Sequence, residues 1–205
     1  MTQYERMAAG LIYDPSDEEI AAEQFPYLDK LSEFNKLRTS DFEEKEKYLK
    51  ENFAECGENN YIELPLHSNW GGHHVHLGNN IYANSGLTLV DDGHIYIGDR
   101  VMIGPNVTIA TANHPIDPSL RMKGLQYNRD VNIGENVWIG AGVIIVPGVT
   151  IGKNSVIGAG SIVTKDIPEN VVAVGNPCRV LREIGDRDRE FFYKSDKIDW
   201  ENLPV

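Results

Sequence analysis

An aliphatic residue recurs at every sixth position of the chain between Val75 and Val163. A period of six matches neither an α-helix, whose apolar positions recur about every 3.6 residues, nor a plain strand, whose side chains alternate every two. It is typical of a solenoid in which each short strand ends at a corner and later strands stack on earlier ones. An antiparallel sandwich is the alternative, but it would have to keep glycine and aliphatic residues in register over about ninety residues by coincidence.

The repeat has twelve inward-facing positions, called anchors here. A second set of mostly aliphatic residues, the second file, stands two positions before each anchor. The anchors are Leu77, Ala83, Leu89, Ile97, Ile103, Ile109, Ile133, Ile139, Ile145, Ile151, Ile157 and Val163. Residues two apart in a strand share a face, so both files are predicted to point inward. Glycines that follow the anchors, such as Gly98 and Gly140, are predicted to supply corners with positive φ. Three corners close a coil, which predicts about four triangular coils of about eighteen residues each.

The rhythm is interrupted twice. Two extra residues enter between Val90 and Gly93, and about eighteen enter between positions 110 and 130. The longer interruption contains His114. A lone histidine on a loop is often a surface or capping residue, but a polar loop on a stiff scaffold is also where functional groups concentrate. The loop is therefore the first candidate for a functional site.

Charge and cysteine content narrow the possible partners. The 205 residues include 31 acidic and 19 basic side chains, a formal net charge of −12, which argues against nucleic acid or an anionic membrane as a partner. The excess lies mainly in residues 1–60, interpreted as a solvated face, so an anionic ligand would favour residues 176–205. With no apparent membrane span or secretion signal, a soluble, cytoplasmic protein is expected. Cys56 and Cys178 are predicted to be buried free thiols.

Two helices are predicted before the repeat. The first begins at the capping box Ser16–Glu19 and continues to Leu37, and the second begins at Ser40 with Glu43 and ends near Phe53. Both would cover the apolar surface and the unpaired edge of the first coil.

The expected organisation has three parts. A helical cap occupies residues 1–60, a β-helix domain that includes the loop at 110–130 occupies residues 61–177, and a C-terminal extension occupies residues 178–205.

Several stretches give the chain a family resemblance. They are FNKLR, FAECGENNYIELP, GNNIYANSGLTLVDDGHIYIGDRVMIGPNVTI, NHPIDPSLR, VNIGENVWIGAGVIIVPGVTIG and NSVIGAGSIVTKDIPENVVAVGNPCRVLREI. Together they resemble the galactoside and maltose O-acetyltransferases of the hexapeptide-repeat family. The hexads alone are shared with serine acetyltransferases, sugar nucleotide acyltransferases and γ-type carbonic anhydrases, whereas YANSGLTLVDD, NHP and GAGSIVTKDIP narrow the choice. The resemblance implies a mainly β fold wound as a left-handed parallel β-helix, acetyl-CoA as co-substrate, and a homotrimer with active sites between subunits.

The resemblance also assigns roles to individual residues. It makes His114 the general base that takes the proton of a sugar hydroxyl, with no metal. The residues implied for the acceptor sugar are Asn69, Asn84, Asp92 and, as a possible counterpart, Asp17. The residues implied for coenzyme A are Ala141, Ala159, Thr164, Lys165, Arg179 and Arg182, with Trp138 either walling the groove or standing exposed on a rung.

Some of these positions have simpler interpretations or depart from the family pattern. Asn84 could be tolerated at a left-handed corner, and Asp92 could be a turn residue. Asn69 stands in place of the usual Ser or Asp, in a segment one residue longer than in relatives, and Gln24 aligns with an arginine that helps to hold the acceptor in relatives. A galactoside is therefore not the only sugar to consider.

Three other functions are compatible with parts of the sequence. An antibiotic or amino-group acetyltransferase would share the NHP stretch but differ in the N-terminal cap and the tail. A zinc hydratase is suggested by His73, His74 and His76, although the His-x4-His pair of γ-type carbonic anhydrases is missing around His114. A non-enzymatic scaffold subunit would have no need of His114 or of the basic residues near the C-terminus.

Overall fold

A computed structural model describes residues 1–204. Its helices are α1 (Gln3–Ala8), α2 (Glu18–Phe34), α3 (Phe42–Asn52), α4 (Pro118–Arg121) and α5 (Asp186–Glu190). Its strands are β1 (Glu55–Cys56), β2 (Tyr61–Ile62), β3 (Leu66–Ser68), β4 (Val75–Leu77), β5 (Tyr82–Ala83), β6 (Leu87–Val90), β7 (Ile95–Ile97), β8 (Met102–Ile103), β9 (Thr108–Ala110), β10 (Ala112–Asn113), β11 (Tyr127–Asn128), β12 (Val131–Ile133), β13 (Trp138–Ile139), β14 (Ile144–Ile145), β15 (Thr150–Ile151), β16 (Val156–Ile157), β17 (Ile162–Val163), β18 (Val171–Val174), β19 (Arg179–Glu183), β20 (Phe191–Tyr193) and β21 (Asp196–Lys197).

The short strands stack in parallel on the three faces of a solenoid. The first face holds β1, β4, β7, β12 and β15, the second holds β2, β5, β8, β13, β16 and β18, and the third holds β3, β6, β9, β14 and β17. The chain visits the faces in that order, so three corners separate them: corner A after the first face, corner B after the second and corner C after the third. This is the predicted triangular winding.

The predicted number of four coils is too small. Five coils have three strands each, and a sixth is begun by the bridge from Ile151 to Ile167 and by β18, which gives about six turns. The first coil escapes the six-residue count because Cys56, at its first anchor position, is not aliphatic, and Ile62, at its second, is followed by Glu63 rather than by glycine. Its strand β1 lies inside the segment 1–60 that was expected to be helical cap alone.

The two inward files are confirmed as the core. Ile95, Val101, Ile109 and Ile139 are fully buried, and the same holds for nearly every residue of both files. Each buried aliphatic side chain stabilises the fold by about 1.5–3 kcal/mol relative to exposure to water. The core is therefore one continuous aliphatic column.

The glycines that follow the anchors have a different role from the one predicted. Gly98 and Gly140 are not in the left-handed region; that conformation occurs instead at other corner residues, among them Asn80, Asn136 and Gly142. A Cβ on Gly98 would lie 2.7 Å from the backbone nitrogen of Glu135 on the next coil. These glycines are needed because the coils approach too closely for a side chain, and the prediction of positive φ at them is wrong.

The predicted helices exist, but they begin one residue later than the capping boxes placed them. Asp17 is the N-cap of α2 and accepts a hydrogen bond from the backbone nitrogen of Glu19 at 3.0 Å, whereas Asp41 precedes α3 without a side-chain cap. Leu31 of α2 and Leu49 of α3 join the core of the first coil, as expected for a cap. Helix α1 was not predicted.

The C-terminal segment folds back on the solenoid. Strand β19 pairs antiparallel with β18 at the edge of the second face, and α5 and the β20–β21 hairpin follow it. Cys178 is buried and Cys56 only half-buried, and both are free thiols. Within residues 1–204, no helix has the length and apolar character needed to cross a bilayer.

Candidate active site

The interrupted loop is an ordered hairpin at corner C. Strand β10 pairs antiparallel with β11 across the loop, and His114 follows β10 directly. The N-terminal segment fixes the hairpin, because Tyr13 and Gln126 exchange two backbone hydrogen bonds of 2.9 and 3.0 Å and Tyr13 is buried. This support from a residue more than a hundred positions away was not visible in the sequence.

His114 has the geometry of a general base. Its Nδ1 lies 2.8 Å from the backbone oxygen of Leu125, and its ring is exposed. A carbonyl oxygen only accepts, so Nδ1 carries the proton of the neutral ring and Nε2 keeps its lone pair. The second nitrogen therefore offers a lone pair on an exposed ring, the feature that a base needs to take a proton from a hydroxyl.

Asn69 and Asp92 lie together at the base of this loop. Nδ2 of Asn69 donates to Oδ2 of Asp92 at 2.8 Å, and Nδ2 of Asn128 on β11 donates to the backbone oxygen of Asp92 at 2.8 Å. Gln24 of α2 donates from Nε2 to the backbone oxygen of Asn69 at 2.8 Å. Two of the four residues implied for the acceptor thus share a corner with His114, and Gln24 helps to hold one of them.

A buried carboxylate that the sequence analysis missed organises the segment that carries Asn69. Asp91 is fully buried and accepts hydrogen bonds from Oγ of Ser68 at 2.7 Å, the backbone nitrogen of Trp70 at 2.9 Å and that of Gly72 at 3.0 Å. Burial raises the pKa of Asp91 to about 6. The backbone oxygen of Asp91 also holds Nδ1 of His74 at 2.7 Å, and burial lowers the pKa of His74 to about 4. The one sequence signal was the pair of adjacent aspartates in the two-residue slip.

Asn84 and Asp17 are not brought to Asn69 within one chain. Asn84 lies at corner B, whereas Asp92 lies at corner C, at the other end of the third face. The two residues are eight positions apart in sequence, so an extended chain would separate them by up to roughly 25 Å. It does not have positive φ, which removes the left-handed corner as its explanation. Asp17 is half-buried and caps its own helix with its carboxylate.

The residues implied for coenzyme A divide between the same two corners. Ala141 and Ala159 are exposed at corner B, where Arg179 also begins β19 opposite Val174. Thr164 and Lys165 are exposed at corner C instead.

Arg182 and Trp138 lie on the second face. Arg182 makes a two-pronged ion pair with Asp188, both contacts at 2.7 Å, and this holds the pKa of Asp188 at about 2. Trp138 is 53% exposed in register with Met102 on the preceding coil. Both side chains are therefore accessible on the face that leads to corner B.

The histidines near Asp92 are held by hydrogen bonds to other groups of the chain. Among residues 1–204, no group of three or more His, Cys, Asp or Glu side chains is placed to hold a metal ion. Nδ1 of His74 is bonded to a carbonyl, Nε2 of His76 lies 2.9 Å from Nδ1 of His94, and Nε2 of His73 lies 3.2 Å from the hydroxyl of Tyr27.

Both the N-terminal cap and the solenoid match models of known protein families. Residues 130–165 match the bacterial transferase hexapeptide model of six repeats, and residues 6–57 match the maltose acetyltransferase hexapeptide capping motif. The galactoside O-acetyltransferase of Lactococcus lactis is 52% identical over 97% of this chain and 96% of its own length. That of Escherichia coli is 48% identical over 97% of this chain and 98% of its own length.

Solved structures give the same result. A galactoside acetyltransferase in complex with coenzyme A superposes with a TM-score of 0.93 at 48% identity, over 97% of this chain and 99% of that one. A maltose O-acetyltransferase from Clostridium difficile superposes with a TM-score of 0.88 at 46% identity, over 91% of this chain and 99% of that one. The left-handed β-helix implied by the resemblance is therefore confirmed. The chain belongs to the hexapeptide-repeat O-acetyltransferase family.

Proposed function

We propose that this protein transfers an acetyl group from acetyl-CoA to a hydroxyl of a sugar, such as a galactoside, maltose or a related sugar, with His114 as the general base. The observation that carries this proposal is the exposed ring of His114, whose Nδ1 is fixed by Leu125 while Nε2 remains available. The near full-length similarity to galactoside O-acetyltransferases supports the same reaction.

The reaction requires one proton shuttle. Nε2 of His114 takes the proton of the sugar hydroxyl as the oxygen attacks the thioester carbonyl, which forms the new C–O bond. The tetrahedral intermediate then collapses, the C–S bond breaks, and the imidazolium returns the proton to the thiolate of coenzyme A. The thioester is already activated, so the base supplies what the unreactive alcohol lacks, typically a factor of about 10²–10⁴ in rate.

We propose further that the protein is a homotrimer with each site between two subunits. The support is the division of candidate residues: Asn84, Ala141, Ala159 and Arg179 lie at corner B, whereas His114 lies at corner C. If corner B of one copy meets corner C of the next, the two groups face each other, and three copies close a ring. The expected mass in light scattering is about 69 kDa, three times the 22.9 kDa chain.

Mixing two inactive variants tests this shared site. His114→Ala disables corner C, and Asn84→Ala combined with Arg179→Ala disables corner B. Unfolding and refolding the two together should restore activity, because about one quarter of randomly formed interfaces join two intact corners. Activity that stays at the level of the separate variants, in mixed trimers proven by mass spectrometry, would refute a site between subunits.

The catalytic role is tested by His114→Ala alone. We expect kcat to fall by about two to four orders of magnitude, with acetyl-CoA binding and thermal unfolding unchanged because the ring is exposed. Thiol release should be followed with sugars, thiogalactosides, amines and chloramphenicol as acceptors. A rate close to that of the unmodified protein would refute the assignment of the base, and faster transfer to amines than to any sugar would favour an amino-group acetyltransferase.

The cytoplasm is proposed as the site of action. Its support is the state of Cys56 and Cys178, which are both free thiols, as is usual in a reducing compartment.

A further inference from the structure

A cavity of about 580 Å³ lies beside Asp92, on the side of corner C that leads to the first face. Tyr4 and Met7 of helix α1 form one part of its wall, and His73 and His94 form another. Its volume falls within the range of about 300–1,000 Å³ found for pockets that bury a small organic ligand. The cavity is therefore large enough for more than water or an ion.

The polar groups of the cavity are already held in fixed orientations. Oδ2 of Asp92 accepts from Asn69, and Oδ1 of Asp130 accepts from the backbone nitrogen of His94 at 2.9 Å. Nδ1 of His94 is paired with Nε2 of His76 at 2.9 Å. Each of the three lining groups thus uses one polar atom for support and keeps a second that has no hydrogen-bond partner within residues 1–204: Oδ1 of Asp92, Oδ2 of Asp130 and Nε2 of His94. Groups held in this way bind a ligand at a smaller entropic cost.

The wall that carries the histidines is built rather than incidental. Gly71 and Gly72 have positive φ of 61° and 93°, and a Cβ on Gly72 would lie 2.3 Å from the ring of Phe53. The tight turn that these glycines allow sets His73 against Tyr27, with ring centroids 4.1 Å apart. The cavity therefore combines fixed ring faces with fixed carboxylates and imidazoles.

This combination matches the chemistry of a sugar ring. The hydroxyls of a pyranose both donate and accept hydrogen bonds, so carboxylate oxygens and imidazole nitrogens can pair with them. The C–H faces of the ring are apolar and pack on aromatic rings and on side chains such as Met7. A compact anion is a poorer match, because the carboxylates of Asp92 and Asp130 line the space and the one guanidinium there, that of Arg129, already donates from Nη1 to the backbone oxygens of Gly10 and Asn128.

Asp92 connects the cavity with the acceptor position. It lines the cavity, and the same side chain is bonded to Asn69 at the base of the His114 loop. Resting on the proposed sugar O-acetyltransferase function, we infer that the acceptor is a glycoside with a second sugar ring, and that this ring occupies the cavity between α1 and the wall of His73 and His94.

Steady-state kinetics with paired acceptors test this inference. The value of kcat/KM is measured with a methyl glycoside and with the disaccharide that carries the same acceptor ring. We expect the disaccharide to be preferred by about tenfold or more, the effect of one or two well-placed hydrogen bonds. The variants His94→Ala and Tyr4→Ala should each reduce this ratio to near one, and Ala8→Trp should do so by filling the cavity from α1.

The control is Tyr193→Ala, which removes an exposed ring from the C-terminal hairpin and should leave the preference unchanged. Thermal unfolding and light scattering confirm that each variant is folded and assembled. Equal kcat/KM values for the two acceptors in the unmodified protein would overturn the second-ring subsite and leave sugar acetylation intact. Acetylation of neither acceptor by the unmodified protein would overturn both. A preference that survives in His94→Ala, Tyr4→Ala and Ala8→Trp would also overturn the assignment of the cavity.

Discussion

Two glycines of the solenoid should respond differently to the same added methyl group. At Gly98 the backbone is outside the left-handed region, but a Cβ would lie 2.7 Å from the nitrogen and 3.0 Å from the Cα of Glu135 on the next coil. At Gly142, φ is +66° and nothing lies within 4 Å of the added Cβ. The pair therefore separates close contact between coils from backbone conformation as the reason for glycine.

The expected magnitudes follow from these geometries. For Gly142→Ala, the left-handed conformation costs about 1–2 kcal/mol, partly offset by about 0.4–1 kcal/mol because alanine restricts the unfolded chain. For Gly98→Ala the same entropic gain applies, but the neighbouring backbone must move by about 0.7 Å to restore ordinary contact, an overpacking that costs about 1–3 kcal/mol or more. Backbone cannot rotate away as a side chain can. The upper end of the overpacking range, about 3 kcal/mol, is therefore expected, which makes Gly98→Ala more destabilising than Gly142→Ala by about 1 kcal/mol.

The assay is urea unfolding at fixed protein concentration, with fluorescence and circular dichroism followed together. A lower midpoint with an unchanged slope reports a loss of stability rather than a change in the unfolded state. If Gly98→Ala is as stable as the unmodified protein, or more stable than Gly142→Ala, then the coils are not as closely packed as argued and the glycines must be explained otherwise.

Three further predictions concern other positions. Arg100 has a φ of 59° at a corner where the equivalent residues of other coils are mostly asparagine. Arg100→Asn should therefore raise the free energy of unfolding by about 0.5–1 kcal/mol, even though an exposed ion pair with Glu135 is lost. A lower urea midpoint would contradict this. Arg179→Ala should raise the KM for acetyl-CoA about tenfold while lowering kcat much less, and equal effects on both would contradict a role in binding. Because burial raises the pKa of Asp91 from 3.8 to about 6, its contribution to stability is present below about pH 4 and is lost as pH rises through about 6. Unfolding midpoints of Asp91→Asn should lack this component, and an identical pH dependence in the two proteins would contradict it.

The solenoid repeat could be predicted from the sequence because it depends only on the spacing of nearby residues. The aliphatic residues at Ile97, Ile139 and Val163 recur at a fixed spacing, and in a three-sided coil fixed spacing alone decides which side chains point inward. The first and last coils were missed because the local pattern changes there: Cys56, at an anchor position, is not aliphatic, and Ile167 follows the anchor Val163 by four residues rather than six.

The candidate site was only partly readable. His114 was found because it lies in the one long break in the rhythm, and family resemblance assigned roles to Asn69 and Asp92. The burial of Asp91 and the hydrogen bonds that hold His73 and His94 depend on side chains that are far apart in sequence, so no local pattern reveals them.

The sequence by itself determined the six-residue winding, the inward residues and the position of the functional loop, because each depends on spacing along a single strand path. Only the tertiary structure decided which corners carry which residues, why Gly98 cannot bear a side chain, and how Tyr13 fixes the loop at Gln126. These features arise from contacts between coils or with the N-terminal segment, where residues from about 40 to more than 100 positions apart are brought within hydrogen-bonding or van der Waals distance. Such contacts depend on how the coils stack in the whole chain, so they cannot be predicted from the six-residue period.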